Sequence, residues 1–321
     1  MSVPVANLLL IPHATPPEGV TAASLDTLRV LRQTLRRLQP QPGHEVHVDE
    51  QHRHLPHELL QARALGLPTD DGAIPWAALR AAELRLDEQQ AWGFISPCHW
   101  EPGADHIRMH PTDTLGLQAD EAERLREAMA PWFEPEGIRL VTDPDQPARW
   151  LACGEPLRDL RSTAPDRAIG RNLDLWMPEG PAARLLRRLQ SEMQMLLYQH
   201  PLHDERRARG LPPVNSFWLH GTGALPRGFR RNEVRITVID ALRGPALAQD
   251  ADAWLDAWQP IEAQCLVPLA DTQTRDTALV LSGEHRAITL TIPPSGFWQR
   301  LRHGLRGDLS SPALHALLSA L

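Results

Sequence analysis

Short apolar runs bounded by turn residues alternate with helical patterns along the whole chain, and this alternation limits the fold more than any other feature. The runs are "NLLLIP" (7–12), "AWGFIS" (91–96), "IRLVT" (138–142), "RWLAC" (149–153) and "NSFWLH" (215–220). They continue with "EVRITVID" (233–240), "QCLVPL" (264–269), "TALVLS" (277–282) and "AITLTI" (287–292). Helical periodicity fills many of the gaps, at 23–38, 76–90, 118–130, 179–199 and 297–306. Strands interleaved with helices of that length predict an α/β protein built on a largely parallel sheet. The 30 prolines gather in the connections, as at 15–18, 39–42, 143–147 and 211–213, which predicts stiff, ordered loops.

Composition narrows the function. A formal charge of −7 and a pI near 6.1 argue against general nucleic-acid binding, which needs a basic footprint. No segment reaches the roughly 18 apolar residues of a membrane span, and the opening "MSVPVANLLLIPHAT" reads as a first core strand rather than a signal peptide. The three cysteines, Cys98, Cys153 and Cys265, form no CxxC pair and suit reduced, buried thiols in the cytoplasm. All 33 basic residues are arginine, so Schiff-base chemistry and the Walker A lysine are both excluded.

The clearest helix is "EGPAARLLRRLQSEMQMLLYQ" (179–199). Gly180-Pro181 suits its start and His200-Pro201 its end. Leu185, Leu189, Met193, Leu196 and Leu197 share a face and predict core packing, with Arg188 and Glu192 placed to pair on the flank. At the C-terminal end Leu314, Leu317, Leu318 and Leu321 form an apolar stripe that packs by default on the protein's own core and alternatively on a second copy.

Three stretches carry candidate chemistry. The run 44–57 holds five histidines beside Glu45, Asp49, Glu50 and Glu58; without an HExxH it reads as a solvated loop rather than a metal site. "SPCHWEPGADHIRM" (96–109) follows a predicted strand, where open α/β sheets place ligands, and contributes Cys98, His99, Asp105 and His106. Neighbours in an extended chain point apart, so Cys98 and His99 are not expected to pair. In "HPLHDERRARGLPPVNSFWLHGTGALP" (200–226) a basic loop with His203 and Arg206 feeds a strand that carries Asn215 and Ser216 and opens onto a turn with Gly221 and Gly223. A guanidinium fork and close-approaching backbone amides suit a phosphate or a carboxylate.

The order of features from about 137 to 226, "RWLAC" and then "GRNLDLWMPEGPAARLLRRLQSEMQMLLYQHPLHDERRARGLPPVNSFWLHGTGALP", resembles the archaeal-type cofactor-independent phosphoglycerate mutases of the alkaline-phosphatase-like superfamily. "PCHWEPGADHIRM", "EMQMLLYQHP" and "PPVNSFWLHGTG" resemble more closely a bacterial phosphoglycerate-mutase-like, RpfE-type regulatory group. The resemblance implies an alkaline-phosphatase-like α/β core over 1–136 and 213–321, with residues 137–212 as an inserted α/β subdomain. Enzymes of that family carry two metal ions and a hydroxyl nucleophile, with an Asp-Gly metal motif after the first strand and a late Asp-His. Here the first strand ends "LLLIPHAT", and the nearest late echo is Glu284-His285.

The expectation is therefore a non-catalytic regulatory relative with no metal and no cofactor, binding an anionic small molecule or a protein partner. Its expected ligand residues are Cys98, His99, Asp105, His106, His203, Arg206, Asn215, Ser216, Gly221 and Gly223. The alternative is a hydrolase or phosphotransferase with a site rebuilt near Cys98–His106 or Arg206–Gly223.

Overall fold

The computed structural model describes residues 6–271, 276–292 and 309–321. They form two compact units, one of the described residues within 1–51, 55–65 and 232–321 and the other of residues 52–54 and 66–231. The chain starts in the first with strands β1 (Asn7–Ile11), β2 (Gln39–Pro40) and β3 (Val46–His47) and helices α1 (Arg29–Arg37) and α2 (Pro56–Leu65). The second holds α3 (Trp76–Glu83), β4 (Trp92–Cys98), β5 (Trp100–Pro102), β6 (Ile107–Met109), α4 (Ala119–Phe133), β7 (Arg139–Thr142) and β8 (Trp150–Cys153). It ends with α5 (Pro165–Ala168), α6 (Ala183–Gln199), α7 (Pro201–Ala208) and β9 (Ser216–Gly223). The return to the first unit brings β10 (Arg235–Val238), α8 (Arg243–Leu247), α9 (Ala251–Ile261), α10 (Val267–Asp271), β11 (Thr277–Ser282), β12 (Arg286–Thr291) and a last helix, Ser311–Ser319.

In the first unit β1 lies between β10 and β11, parallel to both, and β12 then runs antiparallel to β11 and carries β2 and β3. Strands sandwiched between layers have no solvent face, so "NLLLI" and "TALVLS" read as unbroken apolar runs. Leu31 and Leu35 of α1, Trp254 and Trp258 of α9, and Leu314 and Leu318 of the last helix form one core with Ile11, Leu279 and Leu281. The C-terminal leucine stripe thus packs on its own unit.

The second sheet, in the order β7-β8-β4-β9, is antiparallel at every pairing. Parallel pairing among the described strands is therefore confined to β1 with β10 and β11, and the whole is mixed α/β. β4 is buried at all seven positions because helices cover both faces. Ala77, Ala78 and Ala81 of α3 lie against Trp92, Phe94 and Leu151. On the other face Leu125, Met129 and Phe133 of α4 and Leu189, Met193 and Leu197 of α6 meet Ile95, Trp150, Phe217 and Leu219. The division expected at 136/137 and 212/213 falls inside this unit, because β4, from before the first boundary, pairs with both β8 and β9.

Three local expectations change. "QCLVPL" is helical: a π-turn over Glu262–Leu266 continues α9 into α10, and a short apolar run cannot by periodicity tell strand from buried helix. The basic "loop" after residue 200 is α7, begun by Pro201 at its first position and capped by His200, whose Nδ1 accepts from the Leu202 N–H at 3.2 Å. Gly221 and Gly223 lie inside β9 instead of an open turn. The helix expected at 297–306 lies outside the described residues.

Candidate functional site

Antiparallel pairing of β4 with β9 sets Cys98 opposite Ser216. The two stretches singled out at 96–109 and 200–226 therefore meet at one end of the second unit's sheet. Beyond Cys98 the chain turns into the β5–β6 hairpin, and Asn215 fastens that hairpin to the sheet. Its Oδ1 accepts from the Trp100 N–H at 2.7 Å, its Nδ2 donates to the Trp100 carbonyl at 2.8 Å, and its own N–H donates to the Cys98 carbonyl at 3.1 Å. A side-chain amide carries the same donor and acceptor as a peptide, so Asn215 extends the ladder by one pairing.

A histidine cluster sits on this end. The rings of His99 and His110 are 5.1 Å apart, and His110 Nε2 is 2.8 Å from Glu101 Oε2. His203 on α7 has its ring 5.6 Å from that of Tyr198 and its Nε2 2.7 Å from Arg207 Nη2. Burial holds the His99 imidazole below the ordinary histidine range, and His110 and His203 push the same way; the Pro213 carbonyl and Glu101 only partly oppose them. The bond from His110 holds the Glu101 carboxyl below its ordinary range.

The other expected ligand residues are committed elsewhere. Cys98 is fully buried, and burial pushes its thiol well up, with only partial relief from the Trp100 indole, so it is no thiolate nucleophile. The Ser216 hydroxyl is likewise closed off from solvent. Arg206 is fully buried; it pairs with Glu121 at 2.7 Å and donates to the carbonyls of Pro212, at 2.9 Å, and Leu115. That guanidinium is a strut inside the unit. Gly221 has φ +61°, and a Cβ there would lie 3.1 Å from Trp76 Cβ and 3.2 Å from Phe94, so its role is close packing of α3 on β9. Gly223 is buried against Pro75. Asp105 is exposed in the β5–β6 loop, and His106 Nε2 accepts from Arg108 Nε at 3.1 Å.

Beside the exposed Glu101, Asp105 and Arg108 of the hairpin, this end presents an open apolar stretch. Met195 and Tyr198, three residues apart on α6, are 71% and 70% exposed, and Ile107 of β6 is 39% exposed. With Trp100 they line a groove of about 480 Å³. His110, Glu101, Met195 and Tyr198 escaped the reading of the sequence. For the α6 pair the signal was present, since both fall off the Leu189–Met193–Leu197 core face.

The residues do not fit the two-metal site that the resemblance implies. After β1 comes His13, in the left-handed region at φ +57°; after β10 comes Asp240, and β11 ends on Ser282, whose hydroxyl donates to the Gly283 carbonyl. Among the described residues no three His, Cys, Asp or Glu side chains converge so as to hold a metal ion. The histidines of 44–57 do not gather at one point: His47 lies 3.5 Å from Glu45, His52 lies 3.1 Å from Asp71 with its ring 6.3 Å from that of the buried His54, and the His57 ring lies 5.8 Å from that of His13. Among the described residues, too, no helix is long and apolar enough to cross a membrane.

No family model matches the chain. Over 93 residues it is 31% identical to the 2,3-bisphosphoglycerate-independent phosphoglycerate mutase of Methanothrix thermoacetophila, a stretch that covers 27% of this chain and 24% of that protein. The match thus spans about a quarter of the curated relative's length. Among solved structures, the cofactor-independent phosphoglycerate mutase of Thermoplasma acidophilum is 12% identical, with a TM-score of 0.38 over 98% of both chains. The PH0037 protein of Pyrococcus horikoshii is 11% identical, with a TM-score of 0.41 over 91% of this chain and 88% of that one. The chain has a distant similarity to cofactor-independent phosphoglycerate mutase.

Proposed function

We propose that this chain is a phosphoglycerate-mutase-like protein that acts by binding, as a non-catalytic regulatory relative of the enzymes. One observation carries the reading. At the end of the antiparallel sheet the groups capable of covalent chemistry, Cys98 and Ser216, and the buried cation Arg206 are closed into packing and hydrogen bonds, whereas Ile107, Met195 and Tyr198 are open to solvent. Phosphoryl transfer needs metals or several cations where charge develops on the equatorial oxygens. Among the described residues, no group of three His, Cys, Asp or Glu side chains is placed to hold such a metal.

A second reading, a rebuilt acid–base site, draws on the chain from His99 through His110 to Glu101. An imidazole held neutral beside a hydrogen-bonded histidine–carboxylate pair can accept a proton. Its thiol and its strand hydroxyl, Cys98 and Ser216, are both closed off, which leaves the exposed Tyr198 phenol and Ser191 hydroxyl as the open groups of this face. The discriminating assay offers 3-phosphoglycerate and a generic phosphate monoester to the purified chain with magnesium or manganese. The binding reading predicts no turnover above buffer; turnover abolished by His99→Gln establishes the second reading instead.

A further inference from the structure

The open groove beside α6 differs from the rest of the surface in its electrostatics. Its lining includes Trp100, Ile107, Gln194, Met195, Tyr198 and Gln199, and the described lining contains no Asp, Glu, Arg or His. In a chain with 23% charged residues that is a selective feature, because it fixes what can enter. A charged ligand would shed hydration there and meet no counter-charge, a loss of several kcal/mol in an apolar setting. A second groove of the same unit, about 990 Å³, has the opposite character: Glu83, Glu88, Arg158 and Arg231 line it. Of its cations, Arg158 pairs with Glu155 at 2.7 Å and Arg231 with Glu83 at 2.8 Å, and Arg227 also lines it.

The walls of the smaller groove are held in place. Trp100 is almost wholly buried, its backbone is fixed on both sides by Asn215, and it pairs with Met109 across the hairpin. α6 is anchored by Leu189, Met193 and Leu197, so Met195 and Tyr198 project from a rigid helix. The polar groups on the lining divide in two. Ser191 Oγ donates to the Arg187 carbonyl at 3.0 Å, and the Asn215 amide is spent on Trp100. The amides of Gln194 and Gln199 make no hydrogen bond among the described residues. Each offers a neutral donor and a neutral acceptor. The volume of about 480 Å³ lies within the range, roughly 300–1,000 Å³, typical of small-molecule sites.

We propose that the groove between α6 and the β5–β6 hairpin binds an uncharged heteroaromatic small molecule, its ring laid on Tyr198 and Met195 against the open edge of Trp100 and its ring heteroatoms hydrogen-bonded by Gln194 and Gln199. The ring supplies the flat apolar surface that two aromatic walls and a methionine favour. The heteroatoms use the two amides without bringing in charge. This rests on the binding reading above and narrows it, replacing the anionic ligand expected from the sequence with a neutral one at this face.

The test is ligand-observed NMR on the full chain with matched probes: nicotinamide and benzimidazole, both neutral at pH 7.5, against the anion nicotinate. At least one neutral probe is expected to bind with a Kd of about 1 mM or tighter, and nicotinate about tenfold more weakly. Tyr198→Ala, at an exposed position, and the double variant Gln194→Ala/Gln199→Ala are each expected to weaken the neutral probe about tenfold without altering the thermal transition. The proposal is overturned if neither neutral probe binds, if nicotinate binds as tightly, or if Tyr198→Ala has no effect. Those failures leave the binding reading standing, because that is contradicted by turnover of 3-phosphoglycerate or of the phosphate monoester.

Discussion

Arg206 shows how the same side chain can point to opposite roles. A buried guanidinium must satisfy its donors or pay the cost of desolvating a charge, and here Glu121 and two carbonyls do so. Glu121 in turn depends on it. Burial would raise the Glu121 carboxyl, but the Gln118 amide, Arg209 and Arg206 outweigh burial and hold it below the ordinary carboxylate range. Arg206→Ala leaves Glu121 to Arg209 and the Gln118 amide and frees the Pro212 and Leu115 carbonyls, and a loss of about 3 kcal/mol in urea unfolding is expected. A loss under about 1 kcal/mol would mean that the guanidinium was available to a ligand after all. Read locally, "HDERRARG" is a basic run, and only the spacing of Leu202 and Arg206, four apart on one helical face, hints that Arg206 turns inward. Its acidic partner lies 85 residues away, a distance that local pattern does not reveal.

At the scale of elements, pairing decides which motifs meet. The strands beginning near residues 92 and 216 were legible as apolar runs, and so was the core face of α6, because periodicity reports burial directly. That they pair antiparallel, Cys98 opposite Ser216, was not, since register depends on long-range contacts that an isolated run does not encode. The same gap explains the largely parallel expectation, which holds for β1, β10 and β11 alone among the described strands, and the helix over 262–271 that looked like a strand. Asn215 is the residue through which register reaches the site. Asn215→Ala leaves both Trp100 backbone groups without their partner, so a cost of about 1–3 kcal/mol is expected. Hydrogen exchange should quicken across residues 100–109 while β7 and β8 stay protected. Unchanged protection at 100–109 would show that the hairpin is held by other contacts, and uniform loss that Asn215 supports the whole unit rather than the hairpin.

At the scale of the whole molecule the titrating groups mostly act in one direction. His99 and His200 are held below the ordinary histidine range by burial, with cationic neighbours adding to it. Burial would raise the Asp143 carboxyl, but Arg80, the Asp145 amide and Arg149 outweigh it and leave it, like Glu121, below the carboxylate range. In each case the folded pKa is the lower one, so the unfolded chain binds more protons and stability rises with pH through the window. The contribution of the histidines is complete above about pH 6.5 and fades as pH falls through their folded values; that of the carboxylates fades below about pH 4. Glu262, raised by burial, works the other way but is a single group. Urea midpoints measured from pH 8 down to pH 3 should therefore fall in two stages, and a midpoint that rises between pH 7 and pH 5 would show that the depressed histidines do not govern that range.

Elemental analysis of the whole chain after incubation with manganese and exhaustive dialysis tests the central claim, that this protein binds without two-metal catalysis, most directly. The account predicts metal well below one ion per chain, because the strand ends carry His13, Asp240 and Ser282 where a two-metal site needs converging carboxylates and histidines. Retention of about two ions per chain, together with turnover of phosphoglycerate, would contradict it.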